Sequence, residues 1–111
     1  MSDTALKIIE ALGRHTDDAS IDVLRDLGTN SSREDIREVT ATALIRKNSD
    51  KALRILLTSQ GKGINDLSTK VAMSTITKLA EIKDKTTLIN VINDAIENDS
   101  REDIKISARS L

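Results

Sequence analysis

A repeated segment constrains the fold of this chain more than any other feature of the sequence. The clearest copy begins at Ser32 and reads SREDIREVTATAL, and a second copy, SREDIKISARSL, begins at Ser100. A looser copy lies at 66–76 and a half copy at 5–13. Copies about 30 residues apart are typical of stacked supersecondary units. The sequence therefore predicts a repeat architecture.

Apolar positions recur within each copy and between the copies. In the clearest copy, Ile36, Val39 and Ala43 follow the i, i+3, i+7 spacing of one buried helical face. Between copies, two series of apolar positions advance in matching steps of 32 to 35 residues: Leu12, Leu44, Ile76 and Leu111, and Leu24, Leu56 and Val91. Matching steps in both series predict two equivalent helices per repeat.

The apolar periodicity and turn residues predict an all-α fold of about seven helices in antiparallel pairs, which form an α-solenoid or superhelix. A half repeat at 4–14 precedes repeats at about 16–47, 49–82 and 84–111, all within one domain, 1–111. The second helix is expected to end at Gly28 with Leu27 inward. The fifth is expected to begin at Asn65 or Asp66 with Leu67 inward. Gln60 to Gly63 is expected to form a flexible loop.

The composition argues against several classes of function. The 111 residues include no Phe, Trp, Tyr, Pro or Cys, so no aromatic platform exists for stacking bases or flat cofactors. Lys and Arg total 17 against 18 Asp and Glu, mixed along the chain, which argues against a nucleic-acid or membrane-surface protein. The sequence shows neither a signal-peptide pattern nor an apolar run of membrane-spanning length, so a cytoplasmic location is expected.

Few residues could perform catalysis. His15 is the only histidine, and it follows a predicted helix end, where histidine commonly binds free carbonyls. The acid pairs at 17–18 and 34–35 lie in first helical turns, where carboxylates stabilise the helix. Gly61, Lys62 and Gly63 lack the spacing and the following Ser or Thr of a phosphate loop. The sequence therefore predicts no enzymatic activity, no metal site and no cofactor.

The segment from Asp35 to Leu44, with its acidic turn, aliphatic-Arg pair and run of small residues before Ala-Leu, resembles the second helix of HEAT repeats. The segment 103–111 is similar, with Lys105 in place of the arginine, and 66–76 matches more weakly. The resemblance covers nearly the whole chain, in the short form of prokaryotic HEAT-like proteins, some of which act on bilin chromophores. It implies an α-solenoid, and its motifs specify function hardly at all.

Cations recur at two equivalent positions. Arg14, Arg46 and Lys78 lie near the ends of successive second helices, where cations complement the helix dipole. The second series, near the helix starts, consists of Arg37, Lys70 and Lys105. The resemblance implies a structural role for this second series, paired with the turn acids Asp35, Asp66 and Asp103. The alternative is a surface that binds an acidic partner.

These observations predict a protein-binding scaffold whose contact face is lined by the second helices. The predicted contact residues are Arg37, Thr42, Lys70, Ser74 and Lys105. Two alternatives stay open: binding of a nucleic-acid backbone by the cations, and a role as accessory subunit of an enzyme such as a chromophore lyase. Leu6 and Ile9 at one end of the stack, and Ile104 and Leu111 at the other, are expected to be half covered. Such ends suit continuation into a longer array, end-to-end self-association or pairing of an end with a partner.

Overall fold

Serine side chains start two of the helices in the computed structural model, which describes residues 2–15, 17–98, 105, 106 and 109. Ser49 Oγ accepts a hydrogen bond from the Ala52 amide, and Ser68 Oγ accepts one from the Val71 amide. Such caps satisfy amides that have no partner within the helix. Ser49 is therefore the N-cap of a helix over Asp50–Thr58, as the turn residues at 48–50 predict.

The described residues are helical and contain no β-strand, which confirms the all-α prediction. They form α1 (Ser2–Gly13), α2 (Asp18–Val23), α3 (Glu34–Lys47), α4 (Asp50–Thr58), α5 (Thr69–Ala80) and α6 (Thr86–Asn98). A π-helix over Leu24–Thr29 continues α2, and a 3-10 helix over Gly63–Asn65 precedes α5. No helix among these residues is both long and apolar enough to cross a membrane.

The predicted last helix falls mainly outside the described residues. Lys105, Ile106 and Arg109 are helical, whereas Asp103, Ile104 and Leu111 lie beyond what the structure describes.

The helices pack in two rows. α3 packs between α1 and α5, and we call these three helices the odd-helix row. α4 packs against α2 and α6, and these three form the even-helix row. Leu44, Leu56 and Val91, three residues of the predicted apolar series, are buried at exposed fractions of 1% or less. Burial of such side chains is the main stabilising contribution to a core without aromatics.

Helices α1, α3 and α5 run in the same direction. Gly13 at the end of α1 lies against Ala43 near the end of α3, and Lys78 near the end of α5 contacts Thr42 of α3. The C-terminal ends of the three helices therefore share one edge of the molecule.

The prediction that Leu27 points inward is wrong. The predicted α-helix becomes a π-helix at Leu24, and the wider turn moves Leu27 to the surface, where it is 67% exposed. Gly28 takes the inward position instead. A Cβ at Gly28 would lie 2.1 Å from Thr40 Oγ1, so the two helices approach more closely than any larger residue allows.

The prediction that α5 begins at Asn65 or Asp66 with Leu67 inward is also wrong. Helix α5 begins at Thr69, after the Ser68 cap. Leu67 lies in the preceding turn and is 93% exposed. The cause is Asp66, whose carboxylate is bound elsewhere and accepts the Ser68 amide at 2.9 Å, which fixes a turn before the helix.

The loop before Asp66 is packed against α4 at Gly63. Gly63 is buried and has a φ of +58°, and a Cβ there would lie 2.3 Å from the Leu56 carbonyl oxygen. Gly61 also has a positive φ, of +72°, but open space surrounds its Cβ position. The expectation of a flexible loop is thus wrong at Gly63, where only glycine fits.

The expectation for the first end of the stack is half correct. Leu6 is partly buried against the core, as expected, but Ile9 is only 5% exposed. α1 packs along α3, and this contact covers Ile9. The neighbouring Ile8 is the exposed residue, at 54%.

Candidate functional site

Arg37, a predicted contact residue, forms a clamp whose ion pair is largely buried. Its Nε donates to Asp66 Oδ2 at 2.9 Å, and its Nη2 donates to Asp66 Oδ1 at 3.2 Å. Nη1 donates to the carbonyl oxygens of Ser31 and Ser32, both at 3.1 Å. The side chains of Arg37 and Asp66 are only 14% and 1% exposed. We call these four residues the clamp, and it joins the start of α3 to the turn before α5.

The clamp is electrostatically consistent with a structural role. The hydrogen bond from Arg37 to Asp66 raises the pKa of the guanidinium, which therefore stays charged. Bidentate pairing and two carbonyl acceptors compensate the desolvation of both ions. Of the pairings that the resemblance implies, the geometry brings Arg37 to Asp66. Asp35 instead accepts from Arg33, and this bond lowers the pKa of its carboxyl.

The other two predicted cations have different surroundings. Lys70 lies in the first turn of α5 and is exposed, and within the described part of the chain it forms no hydrogen bond or ion pair through its side chain. Lys105 is half-buried. Its predicted partner, Asp103, lies outside the described residues.

Thr42 and Ser74, the predicted small contact residues, both bind Lys78. The Lys78 ammonium donates to Thr42 Oγ1 at 2.8 Å and to Ser74 Oγ at 3.0 Å. The Thr42 hydroxyl donates in turn to the Glu38 carbonyl at 3.2 Å. Neutral hydroxyls thus position this lysine at the junction of α3 and α5 without neutralising it.

Two arginines extend this arrangement across the odd-helix row. Arg14 and Arg46 are exposed and line a groove between α1 and α3, and Arg46 and Lys78 line a second groove between α3 and α5. We call Arg14, Arg46 and Lys78 the cationic edge. Over the ranges that the structure describes, none of the three has a carboxylate oxygen within the 4.0 Å of an ion pair.

The grooves also contain apolar and acidic residues. Val39 and Ala43 lie in the first groove, and Ile45 and Ile82 lie in the second. Glu10 lines the first groove and Glu81 the second, and both are exposed. The two grooves therefore combine charges of both signs with apolar side chains.

The cationic edge does not cap the helix ends at which it lies. The free carbonyls at the end of α1 are bound by Lys47 of α3, whose ammonium donates to the oxygens of Leu12, at 2.8 Å, and of His15. His15 also binds the Leu12 carbonyl, but through its backbone amide at 3.2 Å, and Lys47 reaches the same oxygen across the helix interface. Arg14 and Arg46 are consequently available for other contacts.

The even-helix row, by contrast, pairs its cations with acids on neighbouring helices. Arg54 of α4 bridges Asp50 and Asp94, and Lys51 binds Asp22 at 2.8 Å. The hydrogen bond from Arg54 lowers the pKa of Asp94, and the one from Lys51 lowers that of Asp22.

Sequence reasoning identified Arg14, Arg46 and Lys78 as equivalent positions. It did not show that they lack ion-pair partners among the described residues. Their spacing of 32 residues was the informative pattern.

In the described portion, no group of three or more His, Cys, Asp or Glu side chains is arranged to hold a metal ion. Comparison of the chain with protein-family models, with curated proteins and with solved structures finds no match.

Proposed function

We propose that this chain is a HEAT-like α-solenoid that binds a partner protein on the odd-helix row and has no catalytic activity of its own. The packing of α3 between α1 and α5, with α4 between α2 and α6, supports the repeat assignment. The similarity of 35–44 to a HEAT second helix supports the family.

The cationic edge is the observation that carries the proposal. Arg14 and Arg46 are exposed residues that line the same groove, and the Lys78 ammonium donates to two hydroxyls. Adjacent like charges repel each other, and an anionic group bound between them removes that repulsion. Arginine is also among the residues enriched at protein interfaces.

The contact face combines Thr42 and Ser74 from the sequence prediction with the three cations of the edge. The clamp supports this face from the opposite end of α3, since Arg37 uses every guanidinium nitrogen internally. Lys70 is exposed at that opposite end, which makes it a matched control for Arg46.

The experiment exploits the lack of aromatic residues. Without Trp, Tyr or Phe the chain hardly absorbs at 280 nm, so a 280 nm band in protein isolated gently from its source, with a tag free of aromatics, reports a bound protein. We expect such a band for the native chain and for Lys70→Glu. Arg46→Glu should abolish it, because the substitution places a carboxylate at the centre of the face.

Each alternative function has its own spectrum. A 260 nm band would support bound nucleic acid if the amount that co-purifies falls steeply as the salt concentration rises. A visible band would support a chromophore-related accessory role. Equal 280 nm bands for Arg46→Glu and the native chain would contradict the proposed face.

A further inference from the structure

A pocket of about 400 Å³ lies where α1 and α3 end and α2 and α4 begin, and we call it the four-helix pocket. It shares two residues with the first groove but none with the second groove except Arg46. Thr42, Ser74 and Lys78 of the proposed contact face do not line it. Six of its lining residues are charged or polar: Arg14, His15, Asp18, Arg46, Lys47 and Ser49.

The side chains give the four-helix pocket an excess of two positive charges. Arg14, Arg46 and Lys47 are cationic, and Asp18 is the only acid among the described lining residues. None of these four side chains forms an ion pair within the described part of the chain. The surrounding helix ends contribute partial charges of opposite signs, so the side chains determine the sign of the pocket.

Several hydrogen-bond donors of these residues are unused. Lys47 has three donors and gives two of them to the carbonyl oxygens at the end of α1, so one remains. The Ser49 hydroxyl accepts from the Ala52 amide at 3.3 Å, and its own proton is left for another acceptor. The guanidinium groups of Arg14 and Arg46 donate to no acceptor within the described residues. The pocket therefore offers donors from three cations and one hydroxyl.

A phosphate monoester matches both the charge and the donors. It carries about two negative charges at pH 7 and presents three strong acceptor oxygens on one phosphorus atom. A carboxylate carries one charge and two oxygens, so it would leave one positive charge of the pocket uncompensated. Guanidinium groups also bind phosphate through two parallel hydrogen bonds, which are among the strong ones in proteins.

We propose that the four-helix pocket binds a phosphate monoester dianion through Arg14, Arg46 and Lys47, with Ser49 as a further donor. The inference goes beyond the proposed function, because the site needs no protein partner. The monoester belongs either to a phosphorylated side chain of a protein segment or to a small phosphorylated molecule. Both carriers present the same dianion to the same residues.

Two labelled pentapeptides test the chemical class of the ligand. They have identical neutral flanks and carry the same fluorescent label, with phosphoserine at the centre of one and glutamate at the centre of the other. Fluorescence anisotropy with the whole chain measures both affinities. We expect the phosphoserine peptide to bind about tenfold more tightly, the effect of at least one additional hydrogen bond between charged groups. Equal affinities, or no binding of the phosphoserine peptide, would overturn the proposal.

Competition experiments distinguish the two carriers. Unlabelled O-phosphoserine, a small monoester, and the unlabelled phosphoserine peptide each displace the labelled peptide. Equal competition by both would assign the site to small phosphorylated molecules. Much stronger competition by the peptide would assign it to a protein segment.

An adjacent pair of acids locates the bound phosphate. Asp18 lines the pocket and Asp17 does not, although both are exposed. Asp18→Asn should tighten binding of the phosphoserine peptide about threefold, because a like charge beside the phosphate is removed. Asp17→Asn changes the net charge equally and should have little effect. Equal gains from the two variants would reflect net charge alone and would overturn the placement in this pocket.

A second pair of variants compares the pocket with the contact face. Arg14→Gln should weaken binding of the phosphoserine peptide about tenfold, because it removes a charged donor. Lys78→Gln removes a cation of the face that does not line the pocket, and it should leave this affinity unchanged. Far-UV circular dichroism confirms that each variant is folded. Equal losses from the two variants would contradict the assignment of the phosphate to the pocket.

The outcomes separate this inference from the proposed function. If the co-purifying 280 nm band ignored Arg46→Glu while the phosphoserine peptide still bound as expected, the proposed function would fail and the phosphate site would stand. If Arg46→Glu abolished the band but the native chain bound no phosphoserine peptide, the phosphate site would fail and the contact face would stand.

Discussion

The two ends of α3 each carry an arginine, and their environments are opposite. Arg37, near the N-terminus, is largely buried and binds Asp66 and two carbonyls. Arg46, near the C-terminus, is exposed between two grooves. The helix dipole alone favours a cation at the C-terminal end and disfavours one at the N-terminal end. The structural cation nevertheless occupies the disfavoured end, because a carboxylate from the following turn outweighs the dipole.

The comparison shows that the odd-helix row has a largely buried ion pair at one end and an exposed cation at the other. The clamp joins α3 to the turn before α5 at one end, whereas Arg14 and Arg46 at the other end form no ion pair among the described residues. The predictions below test this difference, beginning with the loop that positions Asp66 of the clamp.

Gly63→Ala should cause the largest loss of stability. The alanine would be strained at a φ of +58° and would press against the Leu56 carbonyl in the loop that positions Asp66. We expect the free energy of unfolding to fall by about 3 to 4 kcal/mol. Urea unfolding followed by circular dichroism at 222 nm measures it. Gly61→Ala, strained but unobstructed, is the control and should cost about 1 kcal/mol. Equal losses would contradict the close packing at Gly63.

Asp66→Ala should cost about 3 kcal/mol, because it leaves the Arg37 guanidinium largely buried without its counter-ion. The same urea experiment applies. Asp35→Ala is the control, since Asp35 pairs with an exposed arginine and should matter much less. If the two variants lost equal stability, the clamp would be no stronger than a surface ion pair.

Acidification should weaken the ion pair between Arg54 and Asp94 in the even-helix row. Arg54 holds the pKa of the Asp94 carboxyl below its ordinary value of 3.8. The folded state therefore gains stability from this group above pH 3.8 and loses it as the pH falls through the lowered pKa. Asp94→Asn should lose less stability than the native chain over that range, measured by urea unfolding at a series of pH values. Glu97→Gln, on the same helix, should behave like the native chain.

Arg46→Glu should have the smallest effect on stability. Among the residues described, Arg46 has no ion-pair partner, so the free energy of unfolding should stay within about 0.5 kcal/mol of the native value. Lys70→Glu provides a comparison of equal charge change. A loss of more than 2 kcal/mol in Arg46→Glu alone would show that this arginine supports the fold.

The sequence predicted the helical rows well where apolar spacing decides the packing. Leu44, Leu56 and Val91 are buried as their periodic positions indicate. Leu27 and Leu67 are exposed because their positions depend on longer-range interactions. The π-helix at Leu27 accommodates Thr40 of another helix, and the turn at Leu67 follows from the binding of Asp66 by Arg37. Neither contact can be read from the local sequence pattern, because both join residues that are distant in sequence.

The candidate site was predictable to a similar extent. Spacing identified Arg14, Arg46 and Lys78 as equivalent, and it placed Thr42 and Ser74 on the same face. It could not show that both hydroxyls bind Lys78, because this depends on how closely α3 approaches α5. Nor could it show that Lys47 caps α1, a bond that spans 35 residues of sequence.

That bond from Lys47 has a consequence for how the molecule opens. The end of α1 is capped by a residue of α3, and the start of α3 is fixed by a residue just before α5. Helix α1 therefore depends on α3 for a hydrogen bond at its end, and α3 is joined to the turn before α5 through the clamp. Amide hydrogens in α1 should exchange with solvent at rates that follow the opening of α3, so the odd helices form one cooperative unit.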